Sequence, residues 1–362
     1  MPDTRYVKYR DDLEQIKPNE HETIDKIIAS MTRESEKTTQ RYRHSVRASH
    51  AKSTGLLKGE LRVLDGLPEP LRQGLFAHAA TYPVLVRLAQ GPGEMLKDSV
   101  STHRGMSIKV LGVEGPKLPG HDAPTQDFVF ASGRSFPASD AAHFLLNMRG
   151  LEASASMPEA VKHAISATAR GTNAALNAVG GNSAMMDFFG HTPRHPLADA
   201  YFSQAAMRYG DYVAKIGVFP VSLEEVGLDD GPLDIEDPDT FRHAVVGFFN
   251  DQSMTFEMRV QLCTDPDKMP VEDAAKVWSE EESPYVPVAR LVLPAQAAHS
   301  EARAADFNDV LSFRPAHSLA AHRPLGSLMR ARLKTYQALQ ALRHRHNGVA
   351  EVEPTTLADV PD

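Results

Sequence analysis

The chain has 362 residues, 42% of them hydrophobic and 24% charged, the profile of an ordinary globular protein and not of a disordered or fibrous one. Its 39 Lys and Arg against 47 Asp and Glu give a formal charge of −8, which argues against nucleic acid as a partner. Cys263 is the one cysteine, so an intrachain disulfide and a cysteine-ligated zinc or iron–sulfur centre are excluded, and a reducing compartment fits.

No apolar run approaches a membrane span, and residues 1–18 lack the apolar core of a signal peptide, so the expected location is the cytoplasm. Residues 1–45 are polar, with Ile24, Ile27, Ile28 and Met31 at helical spacing, which predicts a helical arm lying on another element. Strand-like runs follow at 61–64, 84–88, 106–110 and 127–131, with a helix predicted over 70–81. Residues 138–186 are rich in Ala and Ser and read as a helical insertion plus a loop around Gly180, Gly181 and Asn182. His191 and His195 have the spacing of a helical metal pair, but Pro193 lies between them without an acidic third ligand close by, so a surface loop is expected. Strand patterns return at 212–221, 254–262 and 288–293, and seven or more such strands predict a barrel or large sheet.

The last predicted helix, 325–345, closes at Asn347 and Gly348, with His344 and His346 at its cationic end; the acidic residues beyond Gly348 read as a frayed terminus. At about 100° per residue, Leu325, Leu328, Met329, Leu333, Leu339 and Leu342 form its core-facing stripe, and Arg330, Lys334 and Arg345 its polar back. Arg332, Tyr336 and Arg343 fall inside the stripe, where an unpaired guanidinium costs several kcal/mol. Either carboxylates elsewhere in the chain satisfy these two cations, or the face meets a bound anionic cofactor. In the second case Tyr336 lies between cations that favour an anionic oxygen, a hard ligand for ferric iron.

At this point the chain resembles the haem catalase superfamily, in particular its small catalase-related peroxidase branch. Arg332 and Tyr336 keep the family's Arg-x-x-x-Tyr spacing, and Arg47-Ala48-Ser49-His50-Ala51-Lys52 matches its distal Arg-x-x-His-Ala-Lys motif. The residues 83–87 resemble the strand that carries a further propionate arginine, Arg104-Gly105-Met106 resembles the start of the next strand, and 256–293 the segment that closes the barrel. The resemblance covers residues 39–347. It implies an α+β fold, a catalase-like closed antiparallel β-barrel with an N-terminal arm (1–45), a haem-binding domain (46–347) including C-terminal helices, and a tail (348–362). It also implies haem b as cofactor, with Tyr336 as the axial iron ligand, Arg332 beside it, Arg47, Arg87 and Arg343 on the propionates, and His50 as the distal catalytic base.

The implied function is a haem peroxidase that reduces hydrogen peroxide or an organic hydroperoxide through a ferryl intermediate, oxidises a small organic electron donor and has weak catalase activity. An allene-oxide-synthase-like rearrangement of an organic hydroperoxide and a non-catalytic haem-binding protein are the alternatives. A homo-oligomer is compatible with the resemblance, while nucleic acid and a membrane span are not expected. Two departures from the family pattern bear on this. No Asn occurs over 126–137, where the distal amide of the family is expected near Ala131 and Ser132, so turnover leans toward peroxidase unless Asn147 or Gln90 replaces it. Ala89 stands where large catalases carry a serine bonded to the distal histidine.

Overall fold

The computed structural model describes residues 5–155, 157–178 and 183–362; the predicted loop at 180–182 lies outside them. Among the described residues, nine strands run β1 (Ser53–Val63), β2 (Thr81–Gln90), β3 (Arg104–Leu111), β4 (Thr125–Ser132), β5 (Tyr201–Phe202), β6 (Met207–Tyr209), β7 (Tyr212–Pro220), β8 (Met254–Leu262) and β9 (Val286–Leu293). They form one antiparallel sheet ordered β5-β4-β3-β2-β1-β9-β8-β7-β6, and because β5 also pairs with β7 the sheet closes on itself. The closed ring has eight strands, and β6 extends β7 as a hairpin. The expected α+β class and closed antiparallel barrel are the fold.

Alternation along each strand sorts side chains into and out of this barrel. Val84, Val86 and Leu88 of β2, Met106, Ile108 and Val110 of β3 and Phe128 and Phe130 of β4 enter the main core, all buried. The opposite face of the same strands is covered as well. Leu56 and Leu85 pack on Phe307, Leu311, Phe313 and Val360, and outward Lys109 pairs with outward Asp127 directly across the β3–β4 ladder at 2.7 Å.

Helix α1 (Glu20–Tyr42) sets Ile24 and Ile27 against Ala331 of α7 (Ser327–Asn347) and against Ala141 and Met148 of α2 (Ala141–Ala155), so the predicted arm does lie on other helices. The insertion between β4 and β5 continues with α3 (Glu159–Ala178) and α4 (Ala184–Phe189). Helix α5 (Thr240–Phe249) sends Val245, Phe248 and Phe249 into the main core, in keeping with the i, i+4, i+7, i+8 apolar spacing of Phe241, Val245, Phe248 and Phe249. Short α6 (Glu301–Ala305) runs into a π-helical turn, Asp306–Val310.

Four local expectations change. The helix predicted over 70–81 is a turn with one 3-10 turn, Gly74–Phe76: Gly74 has φ +52, and a Cβ there would lie 2.5 Å from the His322 ring. The back of α7 is not simply solvated, because Arg330 is held by Glu14 (2.6 Å), Glu20 (2.6 Å) and Glu272 (3.0 Å). The tail is not frayed. Glu353 reaches buried Lys109 at 2.7 Å and Asp362 reaches Lys58 at 2.6 Å, while Val360 is buried on the barrel's outer face. The physical reason is Lys109 itself, a fully buried ammonium on an outward strand position that needs more than one anion. Finally, His191 and His195 are buried and not on a surface loop; the partners that hold His191 are given below.

Candidate functional site

A cavity of about 870 Å³ lies between the outer face of β4 and helices α1, α2, α3 and α7. Strand β4 contributes Val129 and Ala131, the two outward residues that register with Ser107 and Gly105 of β3. Opposite them, α7 contributes Leu328, Ala331, Arg332, Thr335, Tyr336, Leu339, Gln340 and Arg343, the face whose mixture of leucine and arginine was unusual in the sequence. Phe136, Phe144, Met148 and Phe188 close the apolar walls.

Of the residues singled out from the sequence, Arg47, His50, Arg332, Tyr336 and Arg343 all line this one cavity. Arg87 does not. It is buried behind the wall, donating from Nη2 to the Ala51 carbonyl (3.1 Å) and from Nε to Asn308 Oδ1 (3.1 Å). Arg47 closes the end of the π-helical turn, donating to the carbonyls of Asn308 (2.7 Å), Phe307 (2.8 Å) and Leu311 (2.8 Å). Arg343 donates to Leu311 O at 3.3 Å and contacts His344 at 3.1 Å. Among the described residues, none of these three arginines forms an ion pair with a carboxylate. Burial depresses all three, and the Arg343 charge adds to this for Arg47 and Arg87: Arg47 falls well below its ordinary value, Arg87 to about 9 and Arg343, partly offset by Asp309 and Glu351, to about 10.

The polar atoms left over in the same wall form a pattern. Ser312 Oγ, Arg314 Nε, Thr335 Oγ1, Gln340 Nε2 and Arg343 Nε are all buried without a hydrogen-bond partner, and all five residues line the cavity. Unpartnered buried donors are rare because each costs about 1–3 kcal/mol. Guanidinium and amide N–H groups with two hydroxyls suit an anion, and a carboxylate accepts from such a set. Sequence reading missed Ser312, Arg314, Thr335 and Gln340. Thr335 and Gln340 flank Arg343 on the helical wheel and were in reach of a polar count; Ser312 and Arg314 come from the segment before α7, where no local pattern marks them.

Tyr336 is half-buried, and its hydroxyl oxygen accepts from Arg332 Nη2 at 3.0 Å. An arginine can only donate, so the phenol oxygen is the acceptor of this bond. His50 stands in the left-handed region (φ +54), with its amide donating to Gly91 O at 2.8 Å. Its ring lies against Gly105, where a Cβ would come within 2.7 Å of Nδ1. Burial, then His103, Arg87 and Arg332, hold the His50 imidazole well below its ordinary range, so it is a neutral base.

His191 also lines the cavity, its Nδ1 2.8 Å from Asp187 and its Nε2 3.0 Å from Asp199. Burial opposes its charge, but the two carboxylates push it up to about 9. Asp199 in turn takes Arg104 Nη1 at 2.6 Å. The expectation of no acidic neighbour fails because Asp187 lies one helical turn before His191, a spacing legible in the chain. Neither amide suggested as a distal replacement lines the cavity: Asn147 donates to Pro137 O at 3.0 Å, and Gln90 donates to Asp98. Gln204 does line it, with its amide nitrogen engaged on the carbonyls of Gly133 and Ser135.

No family model matches the sequence, and no curated protein matches it. The architecture is similar to three solved catalases. A fungal catalase superposes with TM-score 0.62 at 17% identity, covering 86% of this chain and 62% of that one. Catalase A from Saccharomyces cerevisiae gives 0.59 at 16%, covering 84% and 63%, and a bacterial catalase gives 0.58 at 17%, covering 88% and 63%. The chain has the catalase fold and spans 62–63% of the length of these catalases. No helix among the described residues is long and apolar enough to cross a membrane.

Proposed function

We propose that the cavity binds haem b, with Tyr336 as axial ligand, and that the protein consumes peroxide as a catalase-related peroxidase. The observation that carries this reading is the meeting, in one cavity, of a neutral histidine, an arginine-bonded tyrosine and a set of unpartnered buried donors. Those donors fit a cofactor that carries two carboxylates on a flat apolar body. Arg343, Arg314, Gln340 and Ser312 would hold the carboxylates, with Arg47 adding positive charge to the same wall and Arg87 behind it. Leu328, Leu339, Val129 and Phe136 supply apolar surface for the ring, and Tyr336 the iron ligand. When bound, the haem supplies the two-electron redox chemistry of peroxide cleavage.

The chain's own residues supply the rest. His50 is neutral, and because its Nδ1 edge lies against β3 the Nε2 edge faces away from the barrel. With a proton on Nδ1, Nε2 can take the peroxide proton and return it to the leaving oxygen. Arg332 donates to the Tyr336 oxygen and offsets its charge. Ala131 offers no amide beside His50, so a second peroxide is poorly held while a bulkier organic donor has room. The expected activity is oxidation of phenolic or dye donors with low oxygen evolution, the latter rising in Ala131→Asn.

The test is an absorption spectrum of protein titrated with haem, followed by oxygen evolution and donor oxidation under peroxide. A saturable Soret band with donor oxidation supports the reading. No Soret band overturns the haem assignment, and oxygen evolution without donor oxidation overturns the peroxidase assignment.

A further inference from the structure

The His50 ring has an unusual seat. Beneath it lie Gly105 of β3 and, directly across the ladder on the same face, Ala89 of β2. Neither residue carries a polar side chain, and Nδ1 is buried without a hydrogen-bond partner. No side chain bonds Nδ1, and the Gln90 backbone acts on the ring only as its weakest influence, so the orientation of the imidazole rests largely on contact. The aromatic contact is with His103, whose ring meets that of His50 edge-on, centroids 5.4 Å apart at 77°.

His103 is itself held firmly. Its ring stacks on Phe188 of α4, centroids 4.1 Å apart at 17°, and its Nδ1 lies 3.3 Å from the Phe188 carbonyl, which can only accept. Its own amide donates to the same carbonyl at 3.2 Å. Gly91 joins the two histidines: its carbonyl accepts from His50 N, its amide donates to His103 O at 2.8 Å, and a Cβ on it would lie 2.2 Å from the His103 ring. Only glycine leaves room for that imidazole.

We propose that His103 is a positioning residue of the candidate site, a second imidazole whose edge seats the His50 ring and keeps water from it. Phe188 is the clamp that holds His103 in that role. The charged and titratable groups with the largest effect on His50 are His103 itself, Arg87 of β2 and Arg332 of α7, and the Gln90 backbone acts on it as a hydrogen-bonding group. His103 is depressed to about 4, mainly by burial. Both rings are thus neutral across the physiological range, and the exclusion of water is what keeps His50 so.

The catalytic meaning of this seat rests on the proposed haem chemistry, but the seat itself can be tested without haem. The measurement is imidazole nitrogen NMR on the full haem-free chain, comparing the wild type with His103→Ala and His103→Phe. In the wild type His50 should show the shifts of one neutral tautomer at pH 6. His103→Phe keeps a flat ring and should preserve that pattern. His103→Ala admits water, so His50 should titrate near its ordinary value of about 6.5 with averaged tautomers. Phe188→Leu fills the space without the stack; it should give an intermediate pattern and serves as the reporter if His103→Ala does not fold. A wild-type pattern in both His103→Ala and Phe188→Leu, or a His103→Phe pattern equal to that of His103→Ala, overturns the proposal. In haem-loaded protein, the peroxide reaction of His103→Ala at pH 5.5 should be about tenfold slower than at pH 8, as the acid limb moves up to about 6.5. A failed Soret titration would remove that second readout and leave the first intact.

Discussion

Replacing Arg343 by leucine should move the haem-free and the haem-loaded protein in opposite directions. Arg343 is buried, its Nε has no partner, and its guanidinium is pushed from 12.5 down to about 10 by burial. At about 1.4 kcal/mol for each tenfold change, holding that charge costs the haem-free fold about 3 kcal/mol. Arg343→Leu removes the cost and relieves Arg47 and Arg87, on which the Arg343 charge acts. The Leu311 carbonyl loses a 3.3 Å bond from Arg343 but keeps the 2.8 Å bond from Arg47. Replacing a buried ion by an apolar side chain of similar volume is commonly neutral or stabilising by about 1–4 kcal/mol, so a gain of about 1–3 kcal/mol in the urea unfolding of haem-free protein is expected. Haem affinity should fall, since losing one partner of a buried charged pair costs about 2–5 kcal/mol, or about 30-fold to several thousandfold. A lower urea midpoint in the haem-free variant would show that the guanidinium is already satisfied within the protein. A raised midpoint with unchanged haem affinity would refute the carboxylate pairing.

Tyr336→Phe should leave haem-free stability within about 1 kcal/mol, because the hydroxyl is half-buried with one partner, but should abolish the visible bands of a ferric phenolate; unchanged bands would place the iron ligand elsewhere. His50→Ala should retain haem and slow the reaction with peroxide by about 10²–10⁴-fold in stopped-flow mixing, and a wild-type rate would remove His50 from the chemistry. His191 is held at about 9 against an ordinary 6.5, so its stabilising effect, about 3 kcal/mol, should be fully present below pH 6.5 and lost as pH rises through 9. The urea midpoints of wild type and His191→Gln should therefore differ most at pH 6 and converge above 9; a constant gap would mean that His191 is not charged.

Legibility followed from whether a signal is local. Strands β2, β3, β4, β7, β8 and β9 were readable because their apolar runs are short and bounded by turn residues. Strand β1 was read only at its end: residues 53–57 are buried on both faces of the sheet, which erases alternation, and they open with Ser53, Thr54 and Gly55. Strand β5 is two residues long and has no pattern to detect. In the site, Tyr336, Arg332 and Arg343 were legible because one helix carries them at fixed spacing. His50 and Arg47 stood out as a short motif. The seat of His50 was not legible, since it depends on which residue of β2 faces which residue of β3, a register that only the folded barrel defines.

The two-residue strand β5 has a consequence for how the molecule breathes. It completes the ring between β4 and β7, and it reaches that place only after the long insertion carrying α2, α3 and α4. Closing so long a loop for so few ladder bonds returns little free energy for the entropy spent. The join should therefore form late in folding and open first under thermal fluctuation, well before eleven-residue β1 parts from its neighbours. Phe202, Ser203 and Gln204 sit on that join and on the cavity wall at once. The seam expected to part first thus borders the chamber, and Tyr201 of the main core would move with it.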